Sequence, residues 1–168
     1  MRLFIAIDSP KEVQEYCISL QNQLDNNLAR FRASSSFHLT LKFLGDVRNS
    51  SVIKSLEPIR FTRFSLTTNT MGVFPNKHNI RIIWLGLKHS PELDKLHETI
   101  NKYLSLEDDL KFHPHITLAR VSGVLDKSFI NNIEKIQYEE HSFDVDKFIL
   151  YESQLTPNGP IYNKIREF

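Results

Sequence analysis

The sequence predicts an α+β fold made of two related halves within one domain. Three observations carry that reading. Strand and helix signals alternate along the whole 168-residue chain, their order recurs once, and a His-x-Thr-apolar tetrad stands at a matching place in each recurrence.

The elements follow in order. Leu3-Phe4-Ile5-Ala6-Ile7 is an apolar run of buried-strand length. Ser9-Pro10-Lys11-Glu12 opens a helix, with Ser9 as cap, Pro10 in the first turn and Glu12 completing a capping box. Val13, Tyr16, Cys17, Leu20 and Leu24 give that helix its apolar face. A strand is expected over 37–44, ended by Gly45-Asp46, then a short helix over 50–56 stopped by Pro58, then a strand over 61–70. The order then repeats. Residues 80–87 read as a strand, and Ser90-Pro91-Glu92 opens a helix whose apolar face is Leu93, Leu96, Ile100, Tyr103 and Leu104. A strand over 115–121 bounded by Gly123, a helix over 126–137 and a strand over 142–151 follow. A turn at Thr156-Pro157-Asn158-Gly159-Pro160 leads into a last strand, 161–168. His38 follows Pro10 by 28 residues and His115 follows Pro91 by 24. We therefore place diverged repeats at about 1–78 and 79–168, as interleaved lobes of a single domain, 1–168, related by a pseudo-two-fold axis.

Composition narrows the function classes. Hydrophobic residues make up 40% and charged residues 24%, ordinary globular usage that excludes a disordered chain. The net charge is +1, from 21 basic and 20 acidic residues. A protein that coats duplex nucleic acid needs a basic excess, so any nucleic-acid partner must be gripped locally. One cysteine, Cys17, permits no internal disulfide and reads as a small buried apolar residue. The N-terminal apolar run is too short for a signal peptide or a membrane span. The expected location is cytoplasmic, with no membrane and no obligate protein partner.

The chemistry-bearing residues are His38-Leu39-Thr40-Leu41 and His115-Ile116-Thr117-Leu118. In a strand, residues two apart share a face, so each His and Thr pair points away from the core that takes the leucines and isoleucine. Only about 0.1 tetrads of this pattern are expected by chance in a chain of this composition; two at matching places make a strong signal. Two imidazoles that titrate near neutral pH can serve as base and acid in one turnover, and two hydroxyls can hold non-bridging phosphate oxygens. That set suits opening a phosphodiester without a metal or other cofactor.

These tetrads are the signature of the two-histidine phosphoesterase superfamily, and the chain resembles its RNA 2′,3′-cyclic phosphodiesterase (2′-5′ RNA ligase) branch. The likeness is carried by residues 1–8, 37–45 and 114–120, by Gly72-Val73-Phe74-Pro75 and Ile82-Ile83-Trp84-Leu85-Gly86, and by 150–153 with 159–162. The resemblance implies two antiparallel sheets with outer helices and a central cleft. It also implies hydrolysis of a 2′,3′-cyclic phosphate, on RNA termini or small cyclic nucleotides, to a 2′-phosphomonoester. His38 would then donate a proton to the 3′ oxygen, His115 accept one from water, Thr40 and Thr117 bind phosphate, and Arg120 contact substrate. Some members also join 2′-5′ RNA ends in the reverse sense. Phe31-Arg32-Ala33-Ser34-Ser35-Ser36 departs from the Trp, Pro-containing loop and Asn often found before the first tetrad, which bears on base preference and affinity.

Other residues read as structural. His78, His89, His97 and His141 are expected to be satisfied surface or half-buried histidines, and His113 to line or support the cleft. A metal site on His113, His115 and Asp109 has no recognised ligand spacing. Phe43, Phe74 and Trp84 are expected in the core rather than stacked on a base, and Glu107-Asp108-Asp109 in an exposed loop. Two competing functions remain: a non-catalytic nucleotide- or RNA-end-binding module on the same fold, and a protein-interaction domain. Binding alone does not require two imidazoles.

Overall fold

The structure is a computed structural model that describes residues 2–105, 111–157 and 159–168. The acidic run 107–109, Asp109 with it, and Met1 and Asn158 lie outside the described residues. Among the described residues nine strands and four helices follow in the order β1 (Arg2–Asp8), α1 (Lys11–Gln21), β2 (Ala29–Ala33), β3 (His38–Asp46), α2 (Asn49–Leu56), β4 (Phe64–Asn76), β5 (Asn79–Leu87), α3 (Pro91–Leu104), β6 (His115–Val124), α4 (Phe129–Lys135), β7 (Ser142–Val145), β8 (Ile149–Thr156) and β9 (Gly159–Glu167). No described helix is long and apolar enough to cross a membrane.

Every strand pair is antiparallel. The order across the sheet is β7-β4-β5-β6-β3-β1-β8-β9, with β2 also on β6. Read outward from its middle this order is symmetric: β6 matches β3, β5 matches β1, β4 matches β8. The strand closing the first run of elements, β4, pairs with β5, and β8 pairs with β1. The expected two sheets are the two arms of this one, joined between β3 and β6 by a single register pair, Leu39 with Ile116. Helices cover one face. Ile5, Leu39, Leu41, Ile83, Leu85, Ile116 and Leu118 point into that core, at most 2% exposed. On the opposite face Phe4, Ala6, Ile149 and Tyr151 form a second cluster, with Tyr162 packed against it.

Several local expectations need correction. Ser9 does not cap α1: it is buried, its N–H donates to the Phe37 carbonyl, and Pro10 takes the cap position in an extended conformation. The matching Ser90 does cap α3, accepting from the Leu93 N–H at 3.2 Å with Pro91 in the first turn. Leu24 is buried just beyond α1 rather than within it. The strand expected over 142–151 is two, because β7 pairs with β4 while β8 pairs with β1. The chain turns between them, and the buried Phe148 exchanges backbone hydrogen bonds with Phe168 there. The helix expected from 126 begins at Phe129, since Asp126 accepts from the Ser128 N–H and hydroxyl in a turn. β2 was not expected at all; it reads as part of a loop in sequence. Cys17 is fully buried, and burial pushes its thiol up to about 12, in keeping with a packing role.

Gln21, at the end of α1, ties these parts together. Its Nε2 donates to the Ser34 carbonyl at 2.9 Å and to the Leu118 carbonyl at 2.6 Å, and the Leu118 carbonyl also accepts from the Ser34 N–H at 2.8 Å. The Leu118 carbonyl keeps the Ser34 N–H when the amide is removed, so what is lost is two hydrogen bonds of about 0.5–1.5 kcal/mol each. Gln21→Leu is therefore expected to lower unfolding free energy by about 1–3 kcal/mol in urea denaturation; an unchanged midpoint would show that this tie contributes nothing.

Candidate active site

The contact between the two arms positions the polar residues. Leu39 and Ile116 face the core, so the residues flanking them, His38 and Thr40 on β3 and His115 and Thr117 on β6, face the other way. Antiparallel direction sets His38 toward Thr117 and Thr40 toward His115. All four line one cavity of about 670 Å³.

Beyond the threonines, both strands carry a bulge. Against β1, Thr40 lies opposite Ala6 and Lys42 opposite Ile5, leaving Leu41 as the extra residue. Against β5, Thr117 lies opposite Trp84 and Ala119 opposite Ile83, leaving Leu118 as the extra residue. An extra residue reverses the alternation that follows it. Phe43 and Arg120, each three residues after its threonine, therefore turn onto the cavity face instead of away from it. Phe43 is 72% exposed.

Each imidazole sits in its own aromatic wall. His38 lies 5.1 Å from Phe4 and 5.2 Å, edge-on, from Tyr162, with Tyr151 stacked on Phe4. His115 lies edge-on to Phe74 at 5.1 Å, with Trp84 at 6.3 Å. Burial in these walls pushes His38 down to about 4 from the ordinary 6.5, although the nearby Asp8 carboxylate pulls the other way; Arg120 and His115 add to the lowering. Burial lowers His115 as well, opposed by a hydrogen bond to the His113 carbonyl.

The second ring nitrogens differ in a way that matters. His115 Nδ1 donates to the His113 carbonyl at 2.7 Å, which fixes the proton there and leaves Nε2 with a free lone pair. His38 Nδ1 lies 3.2 Å from the Ser36 hydroxyl, a group that accepts from the charged ring and can donate to the neutral one. Asp8, opposite His38 on β1, is itself held by the Tyr151 phenol and by Lys164 at 2.7 Å.

All five residues singled out in sequence, His38, Thr40, His115, Thr117 and Arg120, meet in this cavity. His113 contributes its carbonyl to His115 and its ring to Trp84, at 4.9 Å. The expectation that Phe43, Phe74 and Trp84 belong to the core is wrong. Phe43 and Phe74 line the cavity and Trp84 is only half-buried, because no described helix covers this face of the sheet. The remaining histidines stay structural: His97 stacks on Phe112 at 3.9 Å, His141 packs on Tyr16 at 4.1 Å, and His89 pairs with Asp94 at 3.0 Å. His78 lies in the β4–β5 turn, its N–H held by Asn76. Among the described residues no three His, Cys, Asp or Glu side chains gather as a metal site requires. Asp8, Ser36, Phe4, Tyr151 and Tyr162 were missed. Only Asp8, a charge at the end of an apolar run, left a visible trace.

A family model described as LigT like Phosphoesterase matches residues 7–84 and again 86–162. The RNA 2′,3′-cyclic phosphodiesterase of Thermotoga maritima is 36% identical over 99% of this chain and 94% of its own length. That of Methanocaldococcus jannaschii is 32% identical over the full length of both. Escherichia coli LigT, in a crystal structure with 3′-AMP, superposes with a TM-score of 0.77 at 27% identity, covering 99% of this chain and 96% of that one.

The lowered His38 value carries a stability consequence. As pH falls from about 6.5 to about 4, the unfolded chain takes up a proton that the folded ring refuses, so stability is lost across that window. His38→Asn removes this term. Its unfolding free energy relative to the parent is expected to improve steadily from pH 7 to pH 4, and a constant difference would place the ring in a water-like setting.

Proposed function

Because the chain belongs to the LigT-like phosphoesterase family, we propose that its cleft hydrolyses RNA-type 2′,3′-cyclic phosphates, with His115 as base, His38 as acid, and Thr40 and Thr117 holding the phosphate. The observation that carries the assignment of roles is the contrast at the two Nδ1 atoms. The His113 carbonyl keeps His115 in the tautomer whose Nε2 can take a proton from water. The Ser36 hydroxyl accommodates His38 with or without its second proton.

In the step this supports, water attacks phosphorus as His115 Nε2 removes its proton. The bond from phosphorus to the 3′ oxygen breaks, and His38 delivers a proton to that oxygen. The products are a 2′-phosphomonoester and a free 3′-hydroxyl; both rings return to their starting states by exchange with solvent. Thr40 and Thr117 donate to the non-bridging oxygens, where charge accumulates. A value of about 4 makes the acid form of His38 scarce in the empty cleft at neutral pH. An anionic phosphate beside the ring favours imidazolium, so substrate supplies the charge that arms the acid. Phe43 and Phe74 offer faces for the terminal base.

Turnover of a 2′,3′-cyclic nucleotide in excess chelator is the test. His38→Ala and His115→Ala are each expected to lower kcat/KM by about 10²–10⁴-fold, with a 2′-phosphate as product; undiminished turnover in either variant overturns the roles. Tight nucleotide binding with no product would instead favour a binding module on this fold. Since kcat/KM reports the free protein, its pH optimum is expected below 6.5, with that of kcat at higher pH. A kcat/KM that only rises with pH contradicts paired histidine catalysis.

A further inference from the structure

We propose that Arg30, Arg32 and Arg120 form a phosphate track leading out of the cleft, so that the protein acts on the end of an RNA strand in preference to a cyclic mononucleotide. This rests on reading the cleft as a cyclic phosphodiesterase site. Beside the cleft lies a second cavity of about 550 Å³, with Arg30 and Ser122 in its wall. Arg32 and Arg120 belong to the walls of both cavities, so the two spaces adjoin at this pair.

The arrangement of the three arginines runs against ordinary strand pairing. Arg32 stands directly opposite Arg120 in the β2–β6 ladder, and like charges in that relation destabilise a sheet. Arg30 shares the face of Arg32, roughly 6–7 Å further along β2. Among the described residues none of the three has a carboxylate at ion-pair distance, whereas Arg63 is paired with Asp144 and Arg166 with Glu57. Three unneutralised guanidinium groups, two facing each other across the ladder and the third one step along β2, in a chain of net charge +1, form a local cluster suited to the phosphates of a single strand end rather than a diffuse basic face. The turn at Gly159 runs against this side chain, a Cβ there lying 2.9 Å from Arg32 Nη1. A 2′,3′-cyclic phosphate occupies the 3′ end of RNA, so the rest of the strand leaves through the 5′ oxygen of the terminal nucleoside. Arg30, outside the cleft wall, is where an upstream phosphate arrives and a mononucleotide does not.

The experiment compares kcat/KM for a 2′,3′-cyclic mononucleotide and a short oligoribonucleotide ending in a 2′,3′-cyclic phosphate, across a salt series, for the parent protein and for R30Q and R30E. The oligonucleotide is expected to be the better substrate and to show the steeper salt dependence. R30Q should lower its kcat/KM about 3–10-fold and reduce the log–log salt slope by about 0.7, with R30E worse and the mononucleotide as the internal reference. Equal salt slopes for the two substrates, or an R30Q effect of the same size on both, overturns the track. If the parent turns over neither substrate, the cyclic phosphodiesterase reading fails instead. The track is then read from binding of the oligonucleotide bearing a 2′-phosphate, where an R30Q salt slope equal to the parent's overturns it.

Discussion

A single backbone pairing, Leu39 with Ile116, joins the two arms of the sheet, and the site is built around it. The two side chains of that pair are buried, so the four polar side chains beside them have only the opposite face to occupy. Beyond that pair the edge of β6 is taken by Ser34 and β2 instead of β3, and the cavity lies over the junction. The bulges at Leu41 and Leu118 then act symmetrically, turning an aromatic ring from one arm and a guanidinium from the other into the opening. The Leu118 bulge is held by α1 through Gln21, which links a helix of one half to the site strand of the other.

The electrostatics follow from that geometry. Aromatic walls exclude water from both imidazoles and favour their neutral forms. Against this, Asp8 is held next to His38 by Tyr151 and Lys164. Arg120 works in the opposite sense, disfavouring imidazolium while offering charge to an incoming phosphate. Both rings of the empty cleft are thus biased toward their neutral forms, which is the state the proposed substrate anion would oppose. Near-neutral net charge at the level of the whole chain and a cluster of three arginines at one edge of the cleft are compatible, since a terminal phosphate requires focused charge rather than much of it.

Period-two alternation made His38, Thr40, His115 and Thr117 legible in sequence, because a half-buried strand writes its two faces into alternate residues. Arg120 was reachable only through the family resemblance: strict alternation would put it on the wrong face, and no residue in the sequence announces a bulge. Phe43 was misread for the same reason. Phe4 was hidden within a strand buried on both faces, where alternation carries no contrast, and the half-buried Asp8 showed only as a charge closing that run. Tyr151 and Tyr162 reach His38 by tertiary folding across more than 110 residues. β2 escaped notice because Ala29–Ala33 is short and rich in arginine, and only pairing with β6 makes it a strand.

The central claim is that the two imidazoles are held in different protonation roles, and ¹⁵N-edited NMR of the histidine side chains tests it most directly. Titrated free and with a nucleoside 2′-phosphate, His115 should appear as the Nδ1–H tautomer and both rings should titrate below 6.5 without ligand. Ligand should raise the His38 value while leaving the His115 tautomer unchanged. Two rings titrating at the ordinary value, with mixed tautomers and no response to the ligand, would contradict the account.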